Sequence, residues 1–307
     1  CSARMISGRW LAISSNRLDR PASVHRPGRG CVVLMLPTVI NAMPRAVCLT
    51  ALYVLLYVFC AGGVMAAGES KSLLAQDALI AKILRESDGS RRPGDRITSI
   101  SRHFLDTPYL ANSLIGSPAE TEQLVLRLDG FDCFTFLDTV EALRRSKTAG
   151  DFSGQMVQVR YRHGKVSYAN RRHFFSDWVS DHDSPVRDVT AVVSQGRAIT
   201  VDKNLNANEN GALWLPGIGV VPRTIAYIPA SELDETLLLA LEPGDYVGIF
   251  SQRPGLDVSH TGLIVKAGAT VKLRHASSRD GVQRVVDEDL VAYMHGKTGL
   301  IVYRVTP

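Results

Sequence analysis

Cysteine is scarce in this chain. Of the five cysteines, Cys1, Cys31, Cys48 and Cys60 lie in or before one apolar segment, and Cys133 alone stands in the remainder. No disulfide framework is therefore expected within residues 67–307, and a single thiol becomes the residue to explain. An excess of one charge is also missing. Setting residues 1–66 aside removes seven Arg and one Asp, leaves 28 basic and 29 acidic side chains, and takes the formal charge from +5 to −1. With the basic balance confined to the leading segment and no basic-aromatic motif, nothing here suits nucleic acid. Internal repeats and low-complexity tracts are absent after residue 70, and no His-Glu-x-x-His stretch or other close ligand pair suggests a metal.

One long apolar run is present. Pro44 and Arg45 precede the uncharged stretch Ala46 to Val64, and Val64-Met65-Ala66 supplies small residues of the kind a signal peptidase cuts after. Residues 43–66 thus read as an export signal cleaved near Ala66 or Ala67, or as an uncleaved membrane anchor, since 19 residues just span a bilayer. In both cases the basic flank stays inside and the folded part is exported to the periplasm or cell envelope, touching membrane only through the leader. Residues 1–42, rich in Arg, Ser and Pro, read as disordered or as an upstream extension. Residues 67–307 suffice for a single domain.

Apolar spacing predicts helices over 70–86 and, after Pro93-Gly94, over 94–105, forming a helical lead-in. Leu124, Leu126 and Leu128 alternate as in a short strand, Asp129-Gly130 breaks it, and Cys133 to Arg145 resumes with helical period. Strands are expected at 156–161 and 165–169, a helix at 173–180, and strands near 189–193, 198–202 and 220–228. A helix at 230–241 then precedes strands at 245–250, 259–265, 271–277 and 299–305, with a helix at 287–294. Helices segregated from an antiparallel sheet define an α+β class.

The loop Lys266-Ala267-Gly268-Ala269 has a hairpin's length. If Val265 pairs with Thr270, then Ile264 faces Val271, Gly262 faces Leu273, and His260 faces His275. Two imidazoles would share a face with Ile264, Val271 and Leu273, with Gly262 leaving room beside them and the Cys133 helix packed against them.

Thiol chemistry on an amide needs a thiolate, an imidazole to hold the ion pair and protonate the leaving amine, and a polar group to orient that imidazole. Cys133, His260 and His275 fit those roles. A first-turn position lowers a thiol pKa and offers backbone N–H groups to an oxyanion. Asp132 opposes that effect and reads as a helix cap. Cysteine is also a common core residue, so the thiol alone reads equally as inert packing, and it is the histidine pair that favours chemistry.

Asp-Cys opening a helix, Ser259-His260-Thr261-Gly262-Leu263-Ile264-Val265 on a strand and Leu273-Arg274-His275-Ala276-Ser277-Ser278 on the next resemble the papain-like NlpC superfamily of cell-wall peptidases and amidases. Pro243-Gly244-Asp245 and Thr107-Pro108-Tyr109 are similar too. The likeness spans roughly 95–305. It implies a papain-like (NlpC-type) cysteine hydrolase fold, with the nucleophile helix packed on an antiparallel sheet, and no cofactor. It further implies Cys133 as nucleophile, His260 as general base, His275 in the third polar place and Tyr109 lining the site, where it could assist the oxyanion. Cys133-Phe134-Thr135-Phe136 departs from the usual Cys-Ser-Gly. With Arg171-Arg172-His173-Phe174-Phe175-Ser176-Asp177-Trp178 and the insertion between helix and core strands, it resembles the N-acetylmuramoyl-L-alanine amidase-like branch. That branch cuts between N-acetylmuramic acid and L-alanine of peptidoglycan or muropeptides, whereas other members cut the stem after D-glutamate. Arg171 and Arg172 could bind a stem-peptide carboxylate or serve packing, and Asp177 belongs to the same segment. Two other classes stay open: a catalytic zinc held by the Cys and two His, and a non-catalytic peptidoglycan-binding module.

Overall fold

The computed structural model describes residues 74–90, 92–180, 184, 186–268 and 270–305. The segment 1–42, the leader at 43–66 and its cleavage point lie outside the described residues. Among the described residues no helix is long and apolar enough to cross a membrane.

The lead-in is helical as expected. Helix α1 covers 74–87 and α2 covers Pro93–Arg102, with proline in the first turn, where its missing N–H costs nothing. Ile80, Ile83, Ile97 and Ile100 are buried in the main core. Arg274 ties the lead-in to the sheet: its Nη1 donates to the Thr98 carbonyl at 3.1 Å and to Ser101 Oγ at 3.0 Å, while Nε and Nη2 grip Asp287 at 2.6 and 2.8 Å. Such a forked guanidinium–carboxylate pair fixes direction as well as distance.

Two short strands, β1 (Ile115–Ser117) and β2 (Glu120–Gln123), form a separate ribbon. The stretch 124–128, expected as a strand, is irregular. Helix α3 spans Cys133–Arg145. Asp132 holds an extended backbone, and its Oδ1 accepts from the N–H groups of Phe134 at 3.0 Å and Thr135 at 2.7 Å. Thr135 Oγ1 in turn accepts from the Asp132 N–H at 3.0 Å. This reciprocal box fixes the residue at which the helix begins.

Residues 156–161, expected as a strand, belong instead to helix α4 (Phe152–Arg160). Its buried Phe152, Met156 and Val159 recur at helical spacing. Residues 165–169 form no strand, and the helix expected at 173–180 is a 3₁₀ helix at Phe175–Val179. Strand β3 (Val186–Asp188) precedes helix α5 (Thr190–Ser194), so the strand expected at 189–193 is largely helical.

The rest is an antiparallel sheet with short helices: β4 (Ile199–Leu205), β5 (Val221–Pro229), α6 (Glu235–Ala240), β6 (Tyr246–Phe250), β7 (Val258–Ala267), β8 (Thr270–Ser277), β9 (Arg284–Asp289), α7 (Leu290–Met294) and β10 (Gly299–Val305). The eight strands run β4-β5-β10-β6-β7-β8-β9, with β3 joined to β10. One face shares a core with α3, through Tyr246, Val258, Leu263, Val265 and Ala276. The other, with Val247, Ile249, Ile264, Leu273 and Leu300, is covered by residues of α5, α6 and α7. The class is α+β.

The β7–β8 register corrects the sequence-based pairing. Ala267 pairs with Thr270, Val265 with Lys272, Ile264 with Leu273 and Leu263 with Arg274. Lys266 and Ala267 continue the strand, and Gly268 takes the left-handed φ of +62° that a two-residue turn needs. The slip is two residues, so His260 and His275 keep a common face but become diagonal neighbours.

Candidate active site

Cys133 is the first residue of α3 and is 1% exposed. Its carbonyl accepts a 2.8 Å hydrogen bond from Thr261 Oγ1, which seats the helix tip on the residue that follows His260. Tyr109 forms a parallel bridge with Phe131, two residues before the thiol, anchored by Leu110 N–H to Phe131 O at 2.8 Å and Phe131 N–H to Pro108 O at 3.1 Å. The Tyr109 segment therefore flanks the nucleophile segment through its backbone.

One sequence-based expectation about Cys133 needs correction. The N–H groups of Phe134 and Thr135, offered above to an oxyanion, are already held by the Asp132 cap, and that of Phe136 by the Asp132 carbonyl at 3.1 Å.

The imidazoles meet: His260 Nε2 and His275 Nδ1 are 2.7 Å apart, with the rings at 87°. A β-bulge aims His260. Val258 pairs with Phe250 and His260 with Ile249, so Ser259 is the extra residue. A Cβ on Gly262 would lie 2.6 Å from Leu273 Cδ1, 2.8 Å from the Arg274 carbonyl and 3.0 Å from His275 Cβ. The carbonyl belongs to backbone that cannot swing aside. Gly262→Ala is therefore expected to cost about 1–3 kcal/mol by overpacking, read from the urea midpoint, and to push His275 away from His260.

Strand alternation turns Thr261 toward α3, whereas His260 and His275 lie on the Ile249, Ile264 and Leu273 face. The helix thus reaches β7 from its Thr261 side rather than packing on the face that carries the histidines. Beyond the pair lies a cavity of about 530 Å³, lined in part by His260, His275, Arg279, Glu288, Tyr293 and Lys297.

Burial first, and the neighbouring His275 second, hold the His260 pKa well below its ordinary value of 6.5. Burial also lowers that of His275, against the opposing pull of Glu288. Both rings are harder to protonate folded than unfolded. Below about pH 6.5 the unfolded chain binds protons that the fold refuses, so this stability is complete above that pH and declines as pH falls through it. Urea unfolding from about pH 7.5 to about pH 5.5 should show the decline, and His275→Asn should flatten part of it.

The other expected site residues are committed elsewhere. Arg171 pairs with buried Glu122, Nε donating to Oε1 at 2.9 Å and Nη2 to Oε2, and also reaches the Gly116 carbonyl. Arg172 Nη1 donates to the carbonyls of Gln158, Val159 and Tyr161. Asp177, fully buried, accepts from the His173 and Phe174 N–H groups and from Arg162 and Arg223. These three hold the segment 171–178 in place, so the carboxylate-binding role gives way to a packing role. Nothing in the described sheet brings them to the histidines.

Sequence reasoning missed Glu288. Its Oε1 lies 3.2 Å from His275 Nε2 and accepts from Arg279 Nη2 at 2.6 Å. It also missed Tyr293, whose ring packs against both imidazoles at 6.1 and 5.0 Å. Strand β9 carries Glu288, and no strand was expected there. Among the described residues no group of three His, Cys, Asp or Glu side chains is placed to hold a metal. The nitrogens through which a shared ion could bind both rings face one another instead.

Comparison with known proteins places the chain. The AmiA-like family, described as N-acetylmuramoyl-L-alanine amidase-like, matches residues 99–300, and the protein belongs to that family. Among solved structures it is similar to an N-acetylmuramoyl-L-alanine amidase from Bacteroides uniformis, at 26% identity and a TM-score of 0.60, over 70% of this chain and 99% of that one. A second crystal structure of an amidase of that name from the same organism matches with a TM-score of 0.58. A Legionella pneumophila protein of the DUF1460 family shares the fold at 23% identity and a TM-score of 0.63, over 79% of this chain and 97% of that one. No curated protein sequence matches the chain.

Proposed function

We propose that this protein is an exported cell-wall amidase with a papain-like catalytic domain, hydrolysing the amide between N-acetylmuramic acid and L-alanine of peptidoglycan or released muropeptides. Family membership and the similarity to the Bacteroides uniformis amidase support the reaction and the substrate class. The observation that carries the choice of residues is the 2.7 Å His260–His275 contact beside a helix tip that begins with Cys133.

In the reduced enzyme, His260 takes the Cys133 proton, and the sulfur attacks the lactyl carbonyl carbon while the carbonyl π pair moves to oxygen. The tetrahedral adduct collapses, the C–N bond breaks, and protonated His260 gives its proton to the departing amine of L-alanine. A thioester remains on Cys133. Water, deprotonated by His260, attacks it; the C–S bond breaks, the sulfur takes the proton back from His260, and the released sugar acid loses its own proton to solvent. Among the described residues, the only link between Cys133 and His260 that supports this pairing is the bond from Thr261, the residue after His260, to the Cys133 carbonyl, and His275 orients the base. Tyr109 serves as an oxyanion donor, because the Asp132 cap already holds the N–H groups of Phe134 and Thr135.

Mass spectrometry of defined muropeptides before and after incubation with the reduced enzyme tests this reading. Free sugar and an intact stem peptide are expected. A dipeptide left on the sugar would move the protein to stem-peptide endopeptidase, and binding without any fragment would make it a peptidoglycan-binding module.

A further inference from the structure

We propose that Glu288 is a positioning residue of this site, setting through His275 which nitrogen of His260 is basic; this rests on the reading of His260 as the general base. His260 on β7, His275 on β8 and Glu288 on β9 form a polar row across three adjacent strands. The register places Glu288 opposite Leu273, on the face that carries both imidazoles.

The contacts fix the direction of each hydrogen bond. A carboxylate oxygen only accepts, so Glu288 Oε1, 3.2 Å from His275 Nε2, takes that nitrogen's proton into a hydrogen bond. A neutral imidazole carries one N–H, so His275 Nδ1 is bare and accepts. The atom facing it at 2.7 Å, His260 Nε2, must donate. That leaves the lone pair of His260 on Nδ1, which makes no hydrogen bond to a described residue.

Glu288 is itself held. Arg279 Nη2 donates to the same Oε1 at 2.6 Å, and the Tyr293 ring stands edge-on to His275 at 5.0 Å. The carboxylate cannot turn away without losing Arg279, and its negative charge stabilises the imidazolium that forms when His260 takes the thiol proton. No oxidant, metal or further reactant enters: one proton moves from sulfur to His260 Nδ1, and the row behind it keeps its hydrogen bonds.

The test uses the reduced full chain labelled with ¹⁵N in histidine, with tautomers read from imidazole ¹⁵N shifts and two-bond couplings. In the wild type the proton is expected on Nε2 of both His260 and His275. Glu288→Ala should mix the tautomers of both rings and lower kcat on a muropeptide by about 10- to 100-fold with little change in KM. Glu288→Gln, whose amide oxygen still accepts, should restore the tautomers and part of kcat. A wild-type proton on His260 Nδ1 would overturn the proposal without need of any folded variant, as would an unchanged spectrum in Glu288→Ala. The two readings fail separately. A Cys133-dependent amidase whose tautomers ignore Glu288 sinks this inference alone, whereas Glu288-dependent tautomers in a protein that cleaves no muropeptide sink the amidase.

Discussion

Cys133→Ala is expected to remove amide hydrolysis, lowering turnover by about 10⁴-fold or more. The sulfur supplies the bond-forming electron pair, and nothing else at the tip of α3 can form a thioester. His260→Ala should fall nearly as far. The double variant should be little worse than either single one, because residues acting as a unit lose their function together. Steady-state release of the sugar product measures all three. The comparison is made under reducing conditions, which keep a nucleophilic thiol from oxidising. The helix itself should survive, because its start is fixed by the Asp132–Thr135 box rather than by the thiol.

The second large effect is on stability. Arg160 on α4 donates from Nε to Asp138 Oδ2 on α3 at 2.8 Å and from Nη1 to the Val125 carbonyl at 2.7 Å, and both side chains of the ion pair are almost wholly buried. Burial raises the Asp138 pKa, and Arg160 opposes that rise. Arg160→Ala removes the opposing charge and leaves a buried carboxylate, at a cost of about 3–5 kcal/mol. The sign of its pH dependence follows. With the folded pKa raised further above the unfolded value of about 3.9, the fold binds a proton that the unfolded chain does not, so the variant's stability falls as pH rises. Urea unfolding should therefore show a smaller deficit near pH 5 than near pH 7. Replacing both partners by apolar residues of similar volume should recover most of the loss, because desolvation and Coulomb attraction nearly cancel in such pairs.

Much of the site could be read from the chain because its signals are local. Asp132 before an apolar period marks the start of α3, and the strand at 299–305 stands out as a β-branched run after Gly299. The histidine pair was found through a wrong register. The hairpin slipped by two residues, and an even slip preserves the face, so His260 and His275 still meet. What failed was decided by distant partners. Val157, Val159 and Tyr161 alternate as in a strand, but packing on α3 makes the segment up to Arg160 helical. Arg171 and Arg172 look like ligands for a carboxylate until β2 supplies Glu122, 49 residues earlier in the chain. Strand β9 is charged along Asp287-Glu288-Asp289 and forms the sheet edge, where Val285 alone is deeply buried and alternation is weak. Missing that strand hid Glu288, and with it the outer half of the histidine row.

The most direct test of the account is the pH dependence of Cys133 alkylation by iodoacetamide in the reduced protein, followed by peptide mass spectrometry and compared with His260→Ala. If the imidazole and the sulfur form the reacting pair, the wild-type thiol should titrate well below the free-cysteine value of about 8.5, and His260→Ala should return it toward that value. Identical profiles in the two proteins, both near about 8.5, would contradict the pairing of Cys133 with His260 and the chemistry built on it.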